Sequence, residues 1–162
     1  MNAVQIGALA GLLLLFAALV YVGRRATASA LPIDPTDPLW TRALEQARAT
    51  VPQMRALFDT GHEVWVKFPL QVGREREHFW GRIKAAEGPT LSVAVETQPV
   101  RGGNVPAEVN VSIEDLEDWQ VQLADGSIRG GFTTRAQAAM ARQRGQSVPV
   151  HVTELLKRMT DE

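Results

Sequence analysis

The chain has 162 residues, a formal net charge of −1 and no cysteine. This length is typical of one compact domain with appendages, and the lack of cysteine excludes disulfides, thiolate catalysis and thiolate metal sites. The part after Ala30 has 15 basic and 18 acidic residues and so a net charge of −3. A protein that binds nucleic acid through a strong positive field has the opposite balance, and we expect no nucleic acid partner.

The first segment predicts a membrane anchor. Residues 4–22 read VQIGALAGLLLLFAALVYV and contain no charged side chain. A helix of this length spans roughly 28 Å, close to the hydrocarbon core of a bilayer. Arg24 and Arg25 follow directly and no basic residue precedes the run, so the positive-inside rule places the main domain in the cytoplasm. We assign residues 1–23 to a single-pass transmembrane helix; a signal peptide cleaved near Ala30, which would leave the domain periplasmic or secreted, is the alternative.

A linker and a kinked helix follow. Residues 24–37 are rich in Ala, Ser, Thr and Pro, which is typical of a tether, and a domain is predicted at residues 38–162. Asp37 suits a helix N-cap, and Pro38 suits the first helical position. Pro52 cannot donate a backbone hydrogen bond, so it must kink or restart the helix. Apolar residues recur at three- and four-residue steps along this helix: Trp40, Leu44, Ala47, Val51, Met54, Leu57 and Phe58.

The middle of the chain alternates with period two. Asp125-Gly126 is a hairpin turn signal that leads into one more short strand. Alternation of this kind predicts antiparallel strands with one face on a core. The predicted fold class is α+β, with a curved antiparallel sheet of five to six strands, or a partly closed barrel, packed by the kinked helix and by C-terminal helices. The alternating segments are residues 64–68, 79–84, 91–96, 109–113 and 119–123.

Two adjacent glycines, Gly130 and Gly131, lie between the last strand and a helix. Thr134 and Gln137 have the spacing of a capping box for that helix. The favoured interpretation is that the glycines supply left-handed backbone or close packing where the strand turns into the helix. The alternative is a backbone surface that is open to a ligand.

Five segments in this order resemble the YegJ-like family, over about residues 43–135. They are ALEQARATVPQM, EVWVKFPL, EHFWGRI, DLEDWQV and GGFTTR. The resemblance implies a small bacterial α+β domain with no catalytic residues to carry over, and the anchor would then lie in the inner membrane. The anchor is outside the resemblance, and the tail after Arg135 departs from the family's shorter, more charged ending. The matching positions are His78, Phe79, Trp80, Asp118, Trp119, Gly130, Gly131, Phe132, Thr133 and Arg135.

No cofactor or metal site is predicted, because the three histidines are scattered and no nucleotide motif is present. Glu77, His78 and Asp118 are the residues that an acid/base enzyme would use. If the first two strands pair as a hairpin, tryptophans and cations share the outer face and form a candidate surface for a peptide, an acidic partner or a lipid headgroup. This surface comprises Trp65, Lys67, Trp80, Arg82 and Lys84. The favoured interpretation is that a helix covers this surface, either the first helix of the domain or the C-terminal helix around Leu155, Leu156 and Met159.

These observations favour a membrane-anchored, non-enzymatic binding module with a protein partner. A small hydrolase with its site near the Gly130-Gly131 corner is one alternative. An accessory subunit of a larger membrane complex is the other.

Overall fold

The computed structural model describes residue 31, residues 33–100 and residues 102–160. The predicted anchor and the first part of the linker lie outside this range. None of the helices within it is long and apolar enough to cross a bilayer. The chain from Leu31 onward forms one compact unit. In chain order its elements are α1 (Pro38–Ala49), α2 (Val51–Asp59), β1 (Val64–Val72), β2 (Glu75–Glu87), β3 (Thr90–Val95), β4 (Glu108–Ser112), a 3-10 turn (Ile113–Asp115), β5 (Asp118–Gln122), β6 (Ile128–Gly130), α3 (Phe132–Gln143) and α4 (Val150–Arg158).

The first two helices confirm the predicted cap and the predicted break. The Asp37 side chain accepts a hydrogen bond from the Leu39 amide at 2.9 Å. The helix stops at Thr50 and restarts immediately, because Pro52 lacks the amide hydrogen that would continue the α1 ladder. The hydroxyl of Thr50 accepts a hydrogen bond from the Trp119 indole nitrogen at 2.9 Å, which ties the break to β5.

The strands form one antiparallel sheet in the order β4-β3-β2-β1-β5-β6. The five alternating segments are all strands in it, and the short strand after Asp125-Gly126 is the sixth. The hairpin at this turn is confirmed by the bond from the Leu123 amide to the Ser127 carbonyl, at 2.8 Å. β4 and β6 lie at opposite ends and do not pair, so the sheet is open and the barrel alternative is wrong.

Alternate residues of the strands build the main core, as their period-two pattern predicts. α2 adds Met54 to this layer, and Leu116 enters it between the 3-10 turn and β5. Burial of these apolar side chains is the main favourable contribution to the fold. The buried strand residues of the layer are Val64, Val66, Phe68, Phe79, Ile83, Leu91, Val93, Val111, Trp119 and Val121.

The last two helices contribute none of these buried residues, although Phe132 of α3 packs against the layer. α3 packs against α1, and both helices bury alanines, among them Ala43 and Ala136. The end of the predicted linker is attached to α3. The Gln137 amide donates to the Leu31 carbonyl at 3.2 Å, and Arg144 forms an ion pair with Asp34 at 2.6 Å.

Candidate functional site

The glycine corner has the left-handed backbone that its sequence predicts. Gly130 ends β6 with a φ of 81°, and Gly131 precedes α3 with a φ of 73°. A side chain on Gly130 would overlap the backbone carbonyl of Trp119, and one on Gly131 would overlap the end of Met159. Both glycines are buried. The prediction of left-handed backbone with close packing is therefore confirmed at both positions.

The predicted capping box is wrong. α3 begins at Phe132, so Thr134 lies inside the first turn, and the residue at the N-cap position is Gly131, which has no side chain to form a cap. The carboxylate of Asp118 takes this role from β5. It accepts hydrogen bonds from the amides of Phe132 and Thr133 at 3.0 and 2.7 Å. A negative charge at this end of a helix is also favoured by the helix dipole.

Asp118 accepts two further hydrogen bonds. The Thr133 hydroxyl donates to it at 2.6 Å and the Trp119 amide at 2.8 Å. Its side chain is completely buried. Burial raises the pKa of this carboxyl, while the hydrogen bonds from Thr133 and Trp119 and the charge of Lys67 oppose the shift. Asp118 is thus a carboxylate that is inaccessible to solvent and accepts four hydrogen bonds.

Lys67 completes this network from β1. Its Cα pairs with that of Asp118 in the sheet register, and its Nζ lies 3.4 Å from the Thr133 hydroxyl and 4.8 Å from the centre of the Trp40 ring. The lysine is 4% exposed. Because the hydroxyl donates to Asp118, it accepts from Lys67, and the three side chains form a directed chain. Burial lowers the pKa of Lys67, and the charges of Asp118 and Glu117 oppose this.

The residues of the predicted tryptophan and cation surface differ in their accessibility to a partner. Trp65 pairs with Arg82 and Lys67 pairs with Trp80, so the first two strands form the expected hairpin and these four side chains share one face. Lys67, however, lies beneath Trp40 of α1 and is not available to a partner from this surface. Arg82 is bound by Glu63 at 2.6 Å and lies 3.8 Å from Glu96. Both tryptophans are half-buried, and Lys84 is exposed.

The three predicted acid/base residues each bind a different partner. Glu77 accepts a hydrogen bond from the Val100 amide at 2.7 Å. His78 pairs through Nδ1 with Glu117 at 2.6 Å, and its ring lies edge-on to Trp40. Asp118 is held in the network with Lys67. Among residues 33–100 and 102–160, no group of three or more His, Asp or Glu side chains is arranged to hold a metal ion.

Most of the motif positions behind the family resemblance meet at the glycine corner. The Phe132 ring packs edge-on to Trp119, with 6.1 Å between ring centres, and the Arg135 guanidinium lies 5.1 Å from the Phe132 ring centre. His78 and Trp80 lie apart from this group, on β2. Comparison of the chain with models of known protein families, with curated proteins and with solved structures gave no match. Membership of the YegJ-like family stays a prediction.

A groove between α1 and α3 was missed at the sequence level. Its volume is about 190 Å³, and it is lined from each helix by positions at steps of three, four and seven residues. α1 contributes Arg42 and α3 contributes Arg135 to it. The sequence signal that could have found it is the matching spacing on the two helices: Leu39, Arg42, Ala43 and Gln46 on α1, and Phe132, Arg135, Ala136 and Ala139 on α3.

Proposed function

We propose that the chain is a membrane-anchored, non-enzymatic binding module whose domain lies in the cytoplasm. One observation carries the non-enzymatic part. The two groups best suited to chemistry, Lys67 and Asp118, are buried and joined through Thr133, where they fix α3 to the sheet. A catalytic acid or base must come within hydrogen-bond reach of a substrate. Both groups instead face protein donors and acceptors. The membrane location rests on residues 4–22 and on Arg24 and Arg25.

A small hydrolase is the second candidate, because the same network favours it on different grounds. A buried carboxyl with a raised pKa beside a lysine with a lowered pKa is a combination found in active sites. This site would lie next to the Gly130-Gly131 corner. Against it, Met159 and Trp119 fill the space beside the two glycines.

Affinity capture of the intact chain from solubilised membranes, with quantitative identification of bound proteins, tests the proposal. A binding module should enrich a reproducible protein partner and should keep it when residues 1–30 are deleted. Loss of the partner on deletion would favour an accessory subunit that assembles through its anchor. Failure to enrich any protein would contradict the proposal.

The hydrolase alternative has a separate test. The protein is assayed against chromogenic esters, phosphomonoesters and peptides, alongside the Lys67→Met and Asp118→Asn variants. Lys84→Met serves as the control, because Lys84 is an exposed lysine on the neighbouring strand. We expect no turnover. Turnover that is lost in folded Lys67→Met and Asp118→Asn, and kept in Lys84→Met, would replace the binding module with an enzyme.

A further inference from the structure

We propose that the groove between α1 and α3 is the docking site of this module, and that it takes an acidic residue with adjacent aliphatic side chains from a partner polypeptide. This inference rests on the proposed function and names the surface and the chemistry of the partner. Five features of the groove carry it: its charge, its floor, its size, the free state of Arg42 and the support of Arg135.

The groove carries two positive charges and no negative one. Arg42 and Arg135 line it, and none of its other six lining residues is acidic. This local positive charge contrasts with the net charge of −3 of the part of the chain after Ala30. Guanidinium groups bind carboxylates through paired hydrogen bonds, so two of them along one groove favour an acidic ligand.

The two arginines are prepared for a ligand in different ways. Arg42 is exposed and makes no hydrogen bond or ion pair with any described residue. Arg135 is positioned over the Phe132 ring and donates to the Thr160 carbonyl at 3.2 Å. One arginine is therefore available, and the other is held in place, which reduces the entropy lost when a ligand binds. The N-terminus of α3 itself is already occupied by Asp118, so the arginines are what attract the anion.

The floor and the size of the groove indicate a peptide side chain. Ala43, Ala136 and Ala139 form small apolar surfaces between the charges, which suit aliphatic groups. The volume of about 190 Å³ is smaller than the roughly 300–1,000 Å³ of pockets that enclose cofactors or drug-sized ligands. An open groove of this size accommodates one or two side chains of a partner that continues along the helices.

The test uses the full chain in detergent micelles and an array of short peptides that combine glutamate with leucine, valine or alanine. Matched peptides with lysine in place of glutamate form the control array. We expect the acidic peptides alone to bind, and more weakly as salt is raised. Arg42→Glu should reduce this binding by about tenfold or more, since it reverses a charge at the site. Arg48→Glu is the control variant, because Arg48 is an exposed arginine of α1 that does not line the groove.

Three outcomes with the peptide arrays overturn the proposal: no acidic peptide binds, both arrays bind equally, or Arg42→Glu binds as well as the unchanged protein. Binding that depends on Arg42 but is seen only with phosphatidylglycerol vesicles would also overturn it, in favour of a lipid surface. The two proposals fail separately. If the intact chain captures a partner and Arg42→Glu captures it equally, the groove is excluded while the binding module stands. If neither captures a partner, the module itself is contradicted.

Discussion

Alanine substitution at three glycines with left-handed backbone separates two contributions to stability at the glycine corner. One is the backbone strain of a residue with a side chain, and the other is the overlap of that side chain with its surroundings. Gly126, Gly131 and Gly130 have φ values of 86°, 73° and 81°, so alanine is strained at each. Their surroundings differ. A side chain on Gly126 would meet nothing within 4 Å, one on Gly131 would meet the flexible end of Met159, and one on Gly130 would meet the backbone carbonyl of Trp119. Alanine substitution should therefore have three graded effects.

The expected magnitudes follow from these contacts. Gly126→Ala carries the backbone strain alone, about 1 kcal/mol. Gly131→Ala adds the displacement of the flexible Met159 side chain to the backbone strain, for roughly 1–2 kcal/mol in total. Gly130→Ala should cost about 2–4 kcal/mol, because overpacking against backbone adds 1–3 kcal/mol. The Trp119 carbonyl also accepts the Gly131 amide at 2.8 Å, so it cannot move away without weakening that hydrogen bond.

Urea and thermal unfolding of residues 31–162 would measure the series, with about 4 °C expected per kcal/mol for a domain of this size. The double variant Gly131→Ala/Met159→Ala provides an internal control. Its destabilisation should be less than the sum of the single variants, because the Met159 side chain is no longer in the way. Three equal effects would show that the surrounding contacts do not set the cost, and a Gly130→Ala variant as stable as the unchanged domain would refute the requirement for glycine at this position.

Three further predictions concern the helix cap, the hairpin turn and the topology. Thr133→Val should lower the free energy of unfolding by about 1–3 kcal/mol, because it removes a buried hydroxyl between two charges, whereas Thr134→Val should change it by less than about 0.5 kcal/mol; an equal effect in chemical denaturation would contradict the cap described above. The Ser127 hydroxyl and amide hold the pKa of Asp125 below its ordinary value of 3.8, so the stability that this carboxylate adds is present above that value and lost as the pH falls through the lowered pKa. Ser127→Ala should raise the pKa towards 3.8 in a carboxyl NMR titration, and an unchanged titration would exclude the turn as its cause. A reporter fused after Glu162 should be active only as a cytoplasmic type, and activity of a periplasmic type would reverse the proposed orientation.

The fold was predictable where a local pattern decides it. Pro52 removes a backbone donor, Asp125-Gly126 marks the hairpin turn, although its loop has three residues, 124–126, rather than two, and the alternation of β1 to β5 reports one buried face. These features depend on residues a few positions apart. The closure of the sheet was not predictable in the same way, because it depends on whether β4 and β6 meet, and no local pattern reports that.

The candidate site was only partly predictable, because its contacts join distant parts of the chain. Asp118 caps a helix that begins 14 residues later, and Lys67 reaches Thr133 from 66 residues away. The capping-box pattern at Thr134 has the right spacing but lies one turn too late for the helix start that the Asp118 carboxylate sets. Alternation correctly placed Lys67 on the outer face of β1. It could not show which of the two helices favoured as a cover lies over that position, and the structure places Trp40 of α1 there.

Met159 and Thr160 protect one edge of the sheet from pairing with another copy of this protein. β6 has one neighbour in the sheet, so without a cover its other side would present unpaired backbone groups, which in many proteins recruit a strand from another molecule. Here Met159 forms a parallel bridge with Ile128, and the Thr160 amide donates to the Ile128 carbonyl at 2.9 Å. Arg135 holds the Thr160 carbonyl from α3. Met159 and Thr160 thus cover this edge. Their removal would expose the backbone of β6, the shortest strand of the sheet, to pairing with a strand of another molecule.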